Sequence, residues 1–407
     1  MSDITDRKEL TELPRRLNIA VVGGSLGGLF AAALLTRNGH TVTVLERSTT
    51  SLATRGAGLV ARGEIFDILR GIDREDAARI GIVADERIVL DLAGDVIERE
   101  PVPQRQLSWD YVYEVFRQDV PSAEYRLGQN VNAVHPGTRH SAVELDGGRQ
   151  QRFDLVVGAD GRESVARKSV APDRWENSYS GYVTWTGLVP ENDLPPFASG
   201  TLLGRATTYT GVGNQIRGAL VPGAGGEIGR GSRRYNWIWT RPLSEGALGR
   251  LLEESGQPTG AATIPPGELP EVLRRLLSTE AERELPFPFA AAVAADRKPS
   301  LNAVFDYVTP TMIAPRVALV GDAAVVVRPH ASMSGAKAAG DAMALARFLE
   351  ELPLEAALTA YERERLPVGE SMASYGRIFA NSLPAVSESD VAEADDLREH
   401  EPDLGKN

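Results

Sequence analysis

The stretch Asn18–Arg47 constrains this chain more than any other. It opens on the apolar run Asn18-Ile19-Ala20-Val21-Val22 and turns through Gly23-Gly24-Ser25-Leu26-Gly27-Gly28. Leu29-Phe30-Ala31-Ala32-Ala33-Leu34-Leu35 then reads as a helix ending near Asn38-Gly39. A second apolar alternation, Thr41-Val42-Thr43-Val44-Leu45, runs into Glu46-Arg47. Strand, tight turn, helix, strand and terminal acid in this order predict a dinucleotide-binding βαβ unit. Gly23 permits the sharp turn and Gly28 the close approach of helix to sheet. The N–H groups of Leu26, Gly27 and Gly28 open the helix, where a pyrophosphate is favoured. Glu46 is placed to accept hydrogen bonds from ribose hydroxyls. Ser25 stands where the middle glycine is usual, so its side chain points away or its hydroxyl joins the phosphate contacts. The unit by itself does not separate NAD from FAD.

Composition narrows the surroundings. At 407 residues the chain exceeds one ordinary core, so two or more domains are expected. A net charge of −12 disfavours a nucleic-acid partner. The absence of cysteine removes disulfides, thiolate catalysis and Cys-ligated metal, and no metal site is expected. The charged segment Met1–Leu17 does not read as a secretory signal, and no run reaches the length of a membrane span. A cytoplasmic protein with a loose N-terminal tail, monomeric or homodimeric, is the expectation.

Further along, Arg55-Gly56-Ala57-Gly58-Leu59-Val60 is either a surface loop or backbone laid against a flat ligand, with Gly58 the candidate contact. Glu64–Arg70 reads as a short helix. Ile88–Leu90 and Val96-Ile97 read as a hairpin turning at Ala93-Gly94-Asp95. Ser108–Arg117 reads as a helix capped by Ser108. A second motif follows. The strand Phe153–Val157 ends in Gly158-Ala159-Asp160-Gly161, with Ser164 and Arg167 beyond; it is either a common Asp-Gly turn or a ligand site at a strand end. Tyr182–Trp185, Thr207–Gly213, Gln215–Pro222 and Tyr235–Trp239 read as an antiparallel sheet, with a helix near Glu268–Leu277. The third motif, Arg316–Val320 into Gly321-Asp322-Ala323-Ala324, ends another buried strand. Ala331–Ala336 then leads into a helix from about Gly335 to Leu352, and Leu354–Phe379 continues helical. Ser334, Gly335 and Ala336 thus supply a second helix N-terminus for an electron-rich group. Ser387–Asn407 is acidic and poor in apolar residues, and reads as disordered.

Together the three strand-end motifs resemble the FAD-dependent aromatic hydroxylases of the para-hydroxybenzoate hydroxylase type, over roughly Leu17 to Phe379. The likeness is strongest to the dihydroxypyridine hydroxylases among them. It rests on Val22-Gly23-Gly24-Ser25, Gly181–Trp185, Gly321–Val325, Arg328-Pro329-His330-Ala331 and Gly335-Ala336-Lys337-Ala338. The resemblance implies an α/β FAD-binding Rossmann-like domain with an interleaved, mainly antiparallel β substrate domain and C-terminal helices. The FAD domain is expected over 17–85, 103–178 and 290–352, and the substrate domain over 86–102 and 179–289. A helical segment is expected over 353–385, with tails at 1–16 and 386–407. The implied cofactor residues are Gly23, Ser25, Leu26, Gly27, Gly28, Glu46, Arg47, Gly58, Asp160, Gly161, Gly321, Asp322, Ser334, Gly335 and Ala336, with Asp322 on the FAD ribitol. Three positions depart from the family pattern: Val325 for a histidine, Ser332-Met333-Ser334 for Gly-x-Gly, and Trp109 for an arginine.

The implied activity is hydroxylation of an electron-rich aromatic or hydroxypyridine-like ring with NADH or NADPH and O2, through a C4a-hydroperoxyflavin in a dry pocket. The substrate residues expected are Tyr182, Trp185, Trp239, Arg328, Pro329 and His330. His330 is either the base that ionises a ring hydroxyl or a residue that shapes the loop. Tyr182 and Trp185 either line the pocket or belong to the core, and Arg328 either binds substrate or is a solvated charge. Two alternatives stand beside this reading. A halogenase is suggested by Trp237-Ile238-Trp239-Thr240-Arg241-Pro242, although Arg241 breaks that motif and no lysine lies between Lys8 and Lys168. The other is an FAD-binding protein without hydroxylase activity.

Overall fold

The computed structural model describes residues 16–52, 58–121, 124–329 and 333–381. Its organising layer is a six-stranded sheet in the order Ile313–Ala314, Val317–Leu319, Leu155–Gly158, Asn18–Val22, Thr41–Leu45, Tyr125–Arg126. The strands from Val317–Leu319 across to Tyr125–Arg126 run parallel. Parallel strands covered on both faces require apolar residues throughout, and Ile19–Val22, Leu155–Val157 and Val317–Leu319 are buried at every position. The helix Leu26–Arg37 is buried over Leu26 and Gly28–Leu35. Alanine and leucine nearly all round fit a helix enclosed by others. The helices Trp109–Asp119 and Ser334–Glu351 pack on it, and Phe30 meets Phe116 edge-on at 4.6 Å.

The parallel order places the ends of Asn18–Val22, Leu155–Gly158 and Val317–Leu319 side by side, in register from Ile19 opposite Leu155 to Gly158 opposite Leu319. All three glycine-bearing turns therefore leave the same edge of the sheet, where doubly wound sheets bind ligands.

The second layer is a nine-stranded, mainly antiparallel sheet. Its long strands are Ser178–Pro190, Arg234–Pro242, Gln215–Val221, Arg205–Thr210 and Ser300–Val308. The hairpin Glu86–Leu90 and Val96–Glu100 extends it, joined in parallel to Arg205–Thr210. A second core fills one face of this sheet. Trp185, Tyr235, Trp237, Trp239 and Phe289 are buried there beneath the helices Glu271–Glu284 and Phe287–Ala295. The helix Glu245–Glu254, capped by Ser244, falls where the sequence predicts only β-rich body, and the helix Phe287–Ala295 and the strand Ser300–Val308 pack with this sheet although 290–352 is expected in the FAD domain. The last described element is the helix Leu354–Asn381, which carries Pro367 in its interior. No helix among the described residues is long and apolar enough to cross a membrane.

Candidate functional site

The three turns meet. Gly23 has φ +101°, and a Cβ there would lie 2.5 Å from the Ala159 carbonyl oxygen and 2.9 Å from the Asp160 Cα. Only glycine takes both that conformation and that approach. A Cβ on Gly27 and one on Gly321 would each come to ordinary contact, 3.6 and 3.5 Å, with the Ala338 methyl. A Cβ on Gly335 would press on Leu59 at 2.8 Å, beside Gly58. The glycine-rich turn, the Asp160-Gly161 turn, the Gly321-Asp322 turn and the start of the helix Ser334–Glu351 therefore form one continuous lining.

One buried guanidinium joins two of these turns. Arg167, 1 % exposed, donates to the carbonyls of Asp322 (2.6 Å), Ala323 (2.8 Å), Arg162 (2.8 Å), Trp175 (3.3 Å) and Gly161 (3.4 Å), and to Asn177 Oδ1 (2.7 Å). Its plane lies over the Tyr307 ring, 3.8 Å from the centroid. Asp160 works on the same turn from below. Ser164 Oγ donates to its Oδ1 at 2.5 Å, and the N–H groups of Val165 and Ala166 donate to Oδ2 at 2.7 and 3.2 Å. Its carboxylate thus caps the helix Val165–Val170 and shapes the turn. Gly161, at φ +77°, completes that turn.

The first unit is set for a dinucleotide. Ser25 is exposed and extended, and its hydroxyl does not cap the helix. The first helical bond runs from Leu29 N–H to the Ser25 carbonyl, so the N–H groups of Leu26, Gly27 and Gly28 precede it. Glu46 is buried, and its carboxylate accepts from Gly24 N–H at 2.8 Å and Ser48 N–H at 2.7 Å. Each oxygen keeps a second lone pair at the strand end. Arg47 is exposed, 4.0 Å from Glu163. Tyr125, hydrogen-bonded to Tyr113, donates to the Gly24 carbonyl at 2.8 Å and props the turn. Asp322 is half-buried at the opposite wall. Burial pushes its carboxyl up from the ordinary range, while Lys337, Arg167 and Arg162 pull it back. An anion-ready helix start, an acid at each end and a glycine-thinned floor between them fit FAD.

Next to this lining lies a cavity of about 500 Å³. It opens between the outer face of the nine-stranded sheet, the strands Gly58–Val60 and Gln104–Ser108, Met333 and Tyr375. Asn236 and Ile238 line it, while Tyr235, Trp237 and Trp239 alternate to the far face. Asn236 Oδ1 accepts from Gly58 N–H at 3.0 Å and anchors that strand. Arg62, Arg87 and Arg217 line the cavity with Gln104, Gln106 and Gln215; no carboxylate is among the described lining residues, and Arg87 is paired outside them with Glu100 at 2.5 Å. Arg217 Nη2 donates to the Pro329 carbonyl at 2.5 Å. Burial first, and then Arg62, push the Arg217 guanidinium down to about 10.

The expected substrate residues fare differently. Trp185 and Trp239, opposite one another in the strand pairing, are core residues on the helix-covered face, because the strand period of two sends them away from the cavity. Tyr182 is half-buried near Arg328 and does not line the cavity. Arg328 is neither a cavity residue nor a solvated charge: its guanidinium grips Asp306 with two bonds, 2.8 and 2.5 Å. Pro329 reaches the cavity wall through its carbonyl. His330 lies outside the described residues, as do Arg55-Gly56-Ala57, 1–15 and 382–407. Arg62, at a helix start, and Arg87 and Arg217, on strands, were missed because single arginines in such places read as solvated. Lys337 was missed too, although a lone lysine among alanines, four residues before Asp341, marks a buried pair.

Comparison with known proteins agrees with this geometry. The family described as FAD binding domain matches residues 16–225, just over half of the chain, and one described as FAD binding domain-like matches 179–306. The chain is 28% identical to a 2,6-dihydroxypyridine 3-monooxygenase from Paenarthrobacter nicotinovorans, across 94% of this chain and 93% of that protein. It is 29% identical to a 3-amino-4-hydroxybenzoate 2-monooxygenase from Streptomyces cremeus, across 87% and 84%. The solved 2,6-dihydroxypyridine-3-hydroxylase from Arthrobacter nicotinovorans superposes with a TM-score of 0.84 at 27% identity, covering 92% of this chain and 95% of that one.

Proposed function

The chain belongs to the FAD-binding domain family and is an FAD-dependent aromatic monooxygenase, and from that premise we propose that it hydroxylates a hydroxypyridine-like ring bound as an anion. Its co-substrates are NAD(P)H and O2. Bound FAD supplies the redox chemistry that joins the two. The relatives are hydroxylating monooxygenases, which leaves the halogenase alternative unsupported; Trp237 and Trp239 are strand core.

For the individual residues we infer the following roles toward FAD. The N–H groups of Leu26, Gly27 and Gly28, with the Ser25 hydroxyl, hold the pyrophosphate. Glu46 holds the adenosine ribose, with Arg47 at the rim, and Asp322 takes the ribityl hydroxyls. Ser334, Gly335 and Ala336 present the start of their helix to the flavin ring. Asp160 and Gly161 shape the lining.

The cavity carries the substrate reading. Arg87 is neutralised by Glu100 at 2.5 Å, so Arg62 and Arg217, with three glutamines and no carboxylate among the described lining residues, select an electron-rich, negatively charged ring. A guanidinium beside a ring hydroxyl favours its ionised form, and ionisation makes the ring carbon more nucleophilic toward an electrophilic oxygen. An anion next to Arg217 would offset, by its charge, the desolvation and the Arg62 repulsion that depress its pKa. The 2,6-dihydroxypyridine enzymes, similar over nearly the full chain, act on a ring of this kind.

The test is NAD(P)H consumption and product formation against a panel of rings of one shape and varied charge. Hydroxypyridines that ionise near neutral pH should stimulate NAD(P)H oxidation and yield hydroxylated product, while their O-methylated analogues should not. Equal stimulation by neutral and ionisable rings would overturn the anionic reading.

A further inference from the structure

Beneath the Gly321-Asp322 turn lies a buried ionic unit that the reaction as described does not use. Lys337 and Asp341 are each 1 % exposed. Lys337 Nζ donates to the Gly321 carbonyl at 2.7 Å and to Asp341 Oδ2 at 3.0 Å. The same Oδ2 accepts from Gly321 N–H at 3.0 Å, and Asp341 Oδ1 accepts from Arg365 Nε at 2.9 Å. Both backbone groups of Gly321 are thus held by charged side chains of the helix Ser334–Glu351. On the other side Arg167 holds the carbonyls of Asp322 and Ala323. The backbone that carries Asp322 is thus fixed from two sides.

Burying a lysine is expensive and is tolerated when the charge is fully paired. An alanine or methionine would fill this place in an alanine-rich helix at less cost, so the charge itself calls for an explanation. We propose that Lys337 is a positioning residue for the flavin site, whose buried cation, bonded to the Gly321 carbonyl and to Asp341, sets the field and the aim of the adjoining Asp322 carboxylate toward the flavin's hydroxyl chain. The proposal rests on the assignment of Asp322 to FAD made above.

The charges facing Asp322 come from every element packed around it. Lys337 and Asp341 lie on the helix Ser334–Glu351, Arg167 on the helix Val165–Val170, and Arg162 on the turn after Leu155–Gly158. Three of these four are cations. Burial drives the Asp322 carboxyl toward its neutral form, and Lys337 heads the groups that oppose it. A neutral carboxyl offers fewer acceptor sites, so flavin affinity should fall as pH drops through the Asp322 titration. Removing the Lys337 charge leaves burial less opposed and moves that fall to higher pH.

FAD release from the holoprotein, followed by recovery of flavin fluorescence between about pH 5 and pH 9, tests this, with Lys337→Met, Lys337→Gln and Asp322→Asn beside wild type. Gln keeps a donor for the Gly321 carbonyl without the charge. Both Lys337 variants should release FAD with a midpoint about one pH unit or more above wild type. Asp322→Asn should bind FAD more weakly at pH 8 and lose the acid limb. An unmoved midpoint, with affinity lowered equally at all pH values, would make Lys337 purely structural and overturn the proposal. Should neither Lys337 variant fold, as judged by thermal melting, an acid limb present in wild type and absent in Asp322→Asn supports the proposal, and a limb that survives in Asp322→Asn overturns it. Asp322→Asn binding FAD like wild type at pH 8 would instead remove the assignment of Asp322, and the proposal with it.

Discussion

Replacing Arg167 by Met should separate two motifs that the fold brings together. The side chain keeps its length and loses all its donors. The structure gives Arg167 six acceptors, four of them at 2.8 Å or closer, in a place 1 % exposed. Each buried carbonyl left without a partner costs about 1–3 kcal/mol, and a few rearrange or admit water, so these costs do not add in full. The stacking on Tyr307 is lost as well. A total of about 3–5 kcal/mol is expected, as for other broken buried charge networks. Against a typical stability of about 5–15 kcal/mol, the variant should remain folded but marginal. Urea unfolding of the apoprotein measures the loss. FAD affinity should fall alongside it, because Gly161 and Asp322 lose their common tether. Arg167→Lys, with three donors, should recover only part of both. A loss below about 1 kcal/mol for Arg167→Met would refute the view that this guanidinium holds the two turns together.

Three further outcomes follow. Gly23→Ala places a methyl 2.5 Å from the Ala159 carbonyl at φ +101°, so it should abolish stable FAD retention on gel filtration while costing about 1–3 kcal/mol in stability. Arg217→Met should raise KM for ionised rings roughly ten- to hundredfold, the worth of one charge-assisted contact, and leave FAD content unchanged in the absorbance spectrum. Glu191 is buried, which by itself would raise its carboxyl, yet Arg233 at 2.5 Å and the Gly231 N–H hold it below the ordinary range. The sign for a depressed carboxyl is stability present above the unfolded value near ~4.3 and lost as pH falls below it. Glu191→Gln should therefore flatten the decline in urea stability between pH 5 and pH 3, and an unchanged decline would contradict that role.

The order of the three strand-end motifs was legible because each is a local pattern: an apolar run that must be buried, then a glycine that must turn. Their convergence followed from parallel strand order. The hairpin at Asp95 and four long strands of the second sheet were legible in the same way, whereas Ser300–Val308, expected within the FAD domain, joins that sheet instead. The face of that sheet was not legible. Trp185 and Trp239 alternate with Thr184, Thr186, Ile238 and Thr240, which puts them on one face but does not say whether a helix or a ligand covers it. The helices Glu245–Glu254 and Phe287–Ala295 were hidden by flanking Gly and Pro, since Pro288 sits at a helix start where it is tolerated. Arg217 could not be recognised from sequence at all, because its meaning comes from Pro329 and Arg62, both far away in the chain. Asp160 was legible as a motif but not as a cap, which depends on where Ser164 turns.

The account's central claim is that the cofactor site and the arginine-lined cavity act together to put one atom of dioxygen on a ring. Turnover under 18O-labelled O2 with an ionisable hydroxypyridine and NAD(P)H tests it most directly. The account predicts one labelled oxygen in the ring product for each NAD(P)H consumed. Unlabelled product, or NAD(P)H consumed with peroxide and no hydroxylated ring for every member of the panel, would contradict it.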